Sequence, residues 1–434
     1  MRHRGRRLLV LIAVVALVGT SCRGSDGAVS PATRRLAGQR LEVAAVWSGE
    51  EQANFEKVLD RFERETGAEV RFTSTGRNVG AVLGPRIDAG AAPDVVILPQ
   101  PGLLRDLVGR GALKPIDAVA GTLVDENYAP VWRRLGSVDG RLYGVWFKAA
   151  NKSTFWYRTE AFFDAGVAPP KTWEELQGVA RDLARSGVRP LAVGAADGWT
   201  LTDWFENVYL RTAGPTRYDR LAGGDMPWTD DSVKHALRTL GQVLGHPEWM
   251  VGGAEGALAT TYEQSVTQTF GDQPQGAMLF EGSFVATNIA KDTEADVGTE
   301  AKFFDFPSIA GSRRSVVFGG DVAVLLADKE ASRELIRFLA TAEAAEPWAE
   351  AGGFISPNRS VDQAAYPDVT TRQLARALTE PKTVRFDLSD LLPASFGAAD
   401  GQGMWKILQD WLKNPSDVDG TAARLEAESA AAEP

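Results

Sequence analysis

Residues 41–111 pass three times from a strand-like to a helix-like pattern, and this rhythm limits the fold more than any other feature of the 434-residue chain. Residues 41–47 (LEVAAVW) read as a strand. The next segment carries Phe55, Val58, Leu59 and Phe62 at the spacing of one buried helical face, and Gly67 ends it. Residues 68–73 alternate like a strand, and a short helix runs up to Gly90. Residues 94–98 (DVVIL) form the unbroken apolar run of a strand buried on both faces. A third helix over 103–110 stops at Gly111. The βαβαβα order predicts a parallel, doubly wound sheet.

Past residue 137 the texture changes. Asp139-Gly140 is a hairpin signal between short apolar runs. Residues 153–157 read as a strand, and Thr172 with Glu175 has capping-box spacing at the start of a helix. Residues 199–291 are mostly helical, and residues 277–280 form a short strand leading into Glu281-Gly282, with Ser283 as the expected N-cap of the next helix. Residues 321–326 are strand-like, and the last hundred residues are largely helical. At this length the soft expectation is two domains of about 150–200 residues each.

The N-terminus has its own logic. Arg2, Arg4, Arg6 and Arg7 precede an eleven-residue apolar run at 8–18, well short of the ~20 residues that span a bilayer, and this is the layout of an export signal. The single cysteine, Cys22, follows Gly19-Thr20-Ser21 and resembles the lipid-acceptor position of a bacterial lipobox, with Gly19 where that motif usually has Leu. Residues 23–40 are small and polar and read as a tether. One cysteine and three scattered histidines make neither a disulfide nor a zinc site. A net charge of −10 and a pI near 5.1 argue against nucleic acid as a partner.

Ligands of open parallel sheets lie beyond the carboxyl ends of the strands. Three loops occupy such positions, offering Trp47 and Ser48, then Thr75, then Gln100. The twelve tryptophans outnumber the seven tyrosines, and residues 197–206 (DGWTLTDWFE) interleave Trp199 and Trp204 with carboxylates, Asp203 lying one helical turn beyond Trp199. Indole faces stack on the C–H faces of sugar rings while carboxylates accept from their hydroxyls. Lys148, Asn151 and Lys152 sit at the change of texture and are candidates for a cleft between domains. Glu281 can accept two hydroxyl groups, and Gly320-Asp321 permits close backbone approach. No Gly-x-Ser-x-Gly, phosphate-binding loop, HExxH or dinucleotide fingerprint occurs, so no catalytic residues, metal or cofactor are expected.

Three stretches carry a family resemblance: residues 46–72 (VWSGEEQANFEKVLDRFERETGAEVRF) continued by 90–117, residues 153–176 (STFWYRTEAFFDAGVAPPKTWEEL), and residues 276–285 (GAMLFEGSFV). In order and spacing the chain resembles the family 1 extracellular solute-binding proteins of bacterial ABC importers. Arg158 stands where the family pattern has Asn or Asp, and Phe284 where it has Trp. The aromatic segments 147–157 and 196–210 look most like branch members that take α-glucosides. The resemblance implies an α/β, periplasmic-binding-protein-like fold, with two doubly wound lobes, a hinge and a ligand cleft between them. It divides the chain into a signal peptide at 1–21 and a lipidated tether at 22–39. Lobe 1 then comprises 40–147 and 318–353, and lobe 2 comprises 148–317 and 354–434. Chain crossings fall near 147–152, 317–321 and 353–357. Site residues carried over are Trp47, Ser48, Lys148, Asn151, Trp199, Asp203, Trp204 and Glu281. The implied role is capture of a carbohydrate by a monomer held on the outer membrane face through Cys22, and delivery to an ABC permease. The residues leave other readings open: the same fold with a polyol, glycosylated osmolyte or peptide; a secreted glycoside hydrolase using paired carboxylates such as Asp203 and Glu281; or a surface lipoprotein without a small ligand.

Overall fold

The computed structural model describes residues 35–76, 79–379 and 383–432. The expected signal peptide, Cys22 and most of the tether lie outside the described residues. The tether stops earlier than expected, because Leu36 is fully buried in the first core and its N–H donates to the Thr66 carbonyl.

The first sheet is built from β1 (Arg40–Ala45), β2 (Glu69–Ser74) and β3 (Val95–Leu98), with β1 parallel to both others, as the alternating pattern predicts. The helix Gly49–Thr66 lies between β1 and β2 and buries Phe55, Val58, Leu59 and Phe62. Gly67 takes φ 81° and donates its N–H to Glu63 O, which closes that helix. All four β3 residues are fully buried. A hairpin of β4 (Ser137–Val138) and β5 (Arg141–Leu142) follows, with Asp139 at φ 49° and Gly140 at φ 78°, the backbone that a two-residue turn of this kind requires.

β6 (Gly144–Asn151) pairs antiparallel with the long strand β11 (Ser315–Leu325), which also pairs antiparallel with β3 and parallel with β12 (Thr383–Phe386). The second sheet has the order β10 (Ala301–Asp305), β7 (Thr154–Arg158), β9 (Gly276–Glu281), β8 (Arg189–Leu191). Only β8 and β9 run parallel in it, so the second lobe is mixed rather than doubly wound. Thr154 sits opposite Glu281, so β7 begins where β9 ends. Each sheet is packed into its own apolar core, and the two cores meet at the segments that join the sheets.

Those joining segments lie side by side. The chain leaves the first sheet at Asn151 and enters the second at Thr154. It returns through residues 306–314, ahead of β11 rather than inside it at 317–321, and the β6–β11 register shifts between Asp321 and Val322. Ala149 pairs with Gly320 on one side and bridges Ile355 on the other, just after Gly352 and Gly353 at φ 88° and 66°. The helix Val369–Thr379, expected with lobe 2, packs instead on β6 and β11, and its Leu374 and Ala375 belong to the first core.

Candidate functional site

Two lysines, one buried near the end of β6 and one half-buried just after it, organise the charges where the sheets meet. Lys148 points toward the first lobe. Its ammonium is bonded to Glu51 and lies 5.0 Å from the Trp348 ring and 5.7 Å from that of Trp47. Burial works against the charged amine, but the Glu51 and Asp321 carboxylates outweigh it and raise the Lys148 pKa. Burial also pushes Asp321 up to about 7, although Lys148 opposes the shift.

Lys152 faces the second lobe. Its ammonium is bonded to Asp387 and is 3.2 Å from Asp203, 3.9 Å from Asp390 and 5.7 Å from the Trp199 ring. Trp199 and Asp203, one turn apart on the helix Trp199–Ala213, therefore do share a face, as their spacing predicts. Burial disfavours the Lys152 ammonium, yet Asp203, Asp387, Asp390 and Glu206 hold it well above its ordinary value. Asp387 caps the short helix Leu388–Leu391 and accepts from Ser389 Oγ and the Asp390 N–H. Burial alone would raise its pKa, but Lys152, and then hydrogen bonds with Asp203 and Ser389, bring it down to about 2. Burial drives Asp203, Glu206 and Glu281 well up, and each is pushed further by neighbouring carboxyls.

One oxygen each of Asp203, Glu206 and Asp387 lies within 4.8 Å of the others. The cation they meet is Lys152. Both Glu206 oxygens accept from backbone, from the N–H groups of Leu388 (2.7 Å) and Ser389 (2.9 Å), so the trio reads as a lysine-centred cluster.

What remains open is a set of unsatisfied polar atoms. Asp203 Oδ2, Glu281 Oε2 and Asn151 Nδ2 are buried and have no hydrogen-bond partner among the described residues. A buried polar group without a partner costs about 1–3 kcal/mol, so these three atoms near one crossing have hydrogen-bonding capacity to spare. Beside them stands an aromatic wall. Trp199 is half-buried, with its ring centroid 5.3 Å from Tyr262 and 5.9 Å from Phe284.

Comparisons with known proteins identify the family. A family model described as "Bacterial extracellular solute-binding protein" matches residues 47–346. The chain belongs to this family. Among relatives of this solute-binding protein, the "Osmoprotective compounds-binding protein GgtB" of Synechocystis is 32% identical over 419 residues, covering 95% of this chain and 96% of the relative. The "Alpha-glucosides-binding periplasmic protein AglE" of Rhizobium meliloti is 32% identical over 401 residues, covering 89% and 86%. The solved structure of a "Chitin oligosaccharide binding protein" superposes with a TM-score of 0.78 at 21% identity, over 91% of this chain and 98% of that one. The family and fold implied by the sequence motifs are therefore the ones found.

Several site expectations for this solute-binding protein need correction. Trp204 is not a platform. It is 1% exposed, packed edge-on against Phe155 and Phe280 with Phe306 beyond, because residues 200–211 of its helix are buried on every side. Trp47 is 2% exposed and walled by Phe55 and Trp348, so it meets Lys148 but offers no open face. Gly320 is needed where the Lys148 carbonyl approaches (a β-carbon there would lie 2.5 Å from it), so its closeness serves strand pairing. Ser283 does not cap the next helix, which starts after Phe284. Instead its Oγ accepts from the Asn151 N–H at 3.2 Å.

Thr75 Oγ1 donates to Ala45 O at the end of β1 and to Gly76 O in its own turn. Gln100, half-buried, occupies the N-cap position of the helix Pro101–Gly109 without a side-chain cap, and Ser48 is exposed at the start of the helix Gly49–Thr66. The residues brought together are Lys148 with Asp321, and Asn151, Trp199, Asp203 and Glu281 around Lys152. Asp387, Asp390, Glu51 and Tyr262 were missed. An Asp three residues before another Asp in 385–392 (RFDLSDLL) signals only a helix cap, and nothing in the sequence ties it to Lys152, over 200 residues away.

Proposed function

We propose that this chain is the solute-capturing component of an ABC importer, and that it closes its two lobes on a carbohydrate of the α-glucoside type. The observation that carries this reading is the meeting of unsatisfied acceptors (Asp203 Oδ2, Glu281 Oε2) and an unsatisfied donor (Asn151 Nδ2) at the crossing between sheets, beside the half-open Trp199 ring. A saccharide offers hydroxyl donors and acceptors on its rim and an apolar C–H face, which answers all of these. The α-glucoside-binding relative and the chitin-oligosaccharide-binding neighbour support the choice of ligand class.

The division of lobes at 40–147 with 318–353 and 148–317 with 354–434 remains our reading of the hinge, amended by the helix Val369–Thr379. The side-by-side passage of Ala149, Gly320 and Ile355 supports a hinge there. A guest touching both lobes favours the closed arrangement. The protein then acts as a monomer on the outer face of the membrane, tethered through a lipid on Cys22, and presents its load to a permease. Among the described residues, no helix is long and apolar enough to cross a membrane.

The test is calorimetric titration with maltose, trehalose, sucrose, a glycosylated polyol, glycine betaine and a tripeptide. Saturable binding of an α-linked glucoside with unchanged ligand after incubation is expected. Binding of the betaine or peptide alone would overturn the carbohydrate reading.

A further inference from the structure

The far end of the helix Trp199–Ala213 carries a cation that no carboxylate matches. Arg211 is 7% exposed, and its guanidinium carbon lies 4.5 Å from the Phe306 ring centroid. One Nη donates to Asn207 O (3.1 Å) and Asn207 Oδ1 (3.0 Å), the other to Ser315 O (2.7 Å) and Phe306 O (3.4 Å). These bonds staple the segment that returns to the first sheet onto the helix. All four acceptors are neutral, so they satisfy the donors without offsetting the buried charge. Burial brings the guanidinium down to about 9, and the carboxylate that opposes this shift is Asp305. Asp305 is already committed, 2.9 Å from Arg314.

Arg211 also lines an open pocket of about 310 Å³ together with Lys171, Arg313 and Arg314, a volume at the lower end of small-molecule sites. Asp305 is the only carboxylate in this lining among the described residues. Four cations face one anion there, a local charge of +3 on a chain whose net charge is −10. Lys171 and Arg313 are exposed and make no ion pair among the described residues. Glu175 is turned to the Lys171 and Thr172 N–H groups, where it completes the cap of the helix Trp173–Arg185, and is not part of the lining.

We propose that this pocket binds a small oxyanion of two or three negative charges. Arg211 supplies charge from the buried side, while Lys171 and Arg313 have donors free to close on the anion's oxygens. Phosphate, a phosphate monoester and a tricarboxylate share the required chemistry. The place is separate from the carbohydrate site: at a rise of about 1.5 Å per residue, Arg211 stands about 12 Å along the helix axis from Asp203. The inference therefore goes beyond solute capture and holds whatever solute the cleft takes.

The experiment is equilibrium titration and thermal denaturation of the full chain near neutral pH, in about 0.15 M sodium chloride. The probes are inorganic phosphate, glycerol 2-phosphate and citrate, each compared with extra sodium chloride of equal ionic strength. Saturable binding of one anion per chain is expected for at least one probe. A hundredfold excess over its Kd should raise Tm by about 3–6 °C, the range between whole-chain and single-lobe melting. The double variant Lys171→Gln, Arg313→Gln, altered only at exposed positions, should melt like wild type without the probe and bind it at least tenfold more weakly. Response to the two phosphates alone assigns a phosphate site, and response to citrate alone a carboxylate site. No saturable binding of any probe, a Tm rise no larger than that from chloride, or equal binding by wild type and double variant would overturn the proposal.

Discussion

Replacing Trp204 by alanine separates the structural account from the reading that its polar neighbours invite. The indole is 1% exposed, with ring centroids 5.3 Å from Phe155 and 4.8 Å from Phe280, so truncation empties a packed site. Large aromatic-to-alanine changes in cores cost about 3–5 kcal/mol. For a lobe of roughly 200 residues melting as a unit, an unfolding entropy of about 2.1 cal/mol/K per residue makes that a fall of roughly 7–12 °C in Tm. Trp199→Ala should do the reverse. Its ring is half-buried, and covering roughly 60–80 Å² of its open face at ~25 cal/mol/Å² is worth ~1.5–2 kcal/mol, a ten- to thirtyfold loss of affinity with a Tm change of a few degrees at most. Calorimetry and thermal denaturation on the same two variants decide the matter. A Trp204→Ala protein that melts like wild type but no longer binds, or a Trp199→Ala protein that binds normally, would refute this assignment.

Lys152→Met removes the ammonium between Asp203 and Asp387, and breaking a buried pair costs about 3–5 kcal/mol. Chemical denaturation at pH 5 and pH 8 should show the larger loss at pH 8, where the stranded carboxyls cannot take up protons cheaply. Gly102→Ala drives a β-carbon into the Leu392 carbonyl where the helix Pro101–Gly109 meets the segment after Leu388–Leu391. A destabilisation of about 1–3 kcal/mol is expected in urea titrations, and wild-type stability would refute the contact. The empty protein should lose stability as pH rises from about 4 to about 8. Asp203, Glu281 and Asp321 have folded pKa values above their unfolded ones, so their contribution is fully present below the unfolded values and disappears as pH passes through the folded ones. Asp321, moved to about 7, bounds its own share at roughly 4 kcal/mol. Asp387, held down to about 2, acts in the opposite sense, and its stabilisation is lost only as pH falls from about 4 through 2. A melting temperature that climbs steadily from pH 5 to pH 8 would contradict this balance.

The first lobe was legible because its signals are local. An apolar face recurring along the helix Gly49–Thr66, a four-residue apolar strand at Val95–Leu98 and glycines at the helix stops each follow from a short window of sequence. The same local logic found the Asp139-Gly140 hairpin and the Thr172–Glu175 capping box. It failed on the helix Trp199–Ala213, which is enclosed along most of its length, so no polar face marks which of its two tryptophans stays half-exposed. It failed also on the antiparallel strands of the second sheet, whose pairing joins residues more than a hundred positions apart. Within the site, Asn151, Trp199, Asp203 and Glu281 were recoverable from residue type and position. Asp387 and Asp390 were not, because acidic residues are plentiful and their relation to Lys152 exists only after folding.

Small-angle scattering of the full chain, titrated with the α-linked glucoside that calorimetry selects, measures lobe closure directly. The account predicts a saturable fall in the radius of gyration toward ~22 Å, the value of a compact chain of this length, with a midpoint that matches the calorimetric affinity. A radius that stays constant while the sugar binds would contradict closure on the guest.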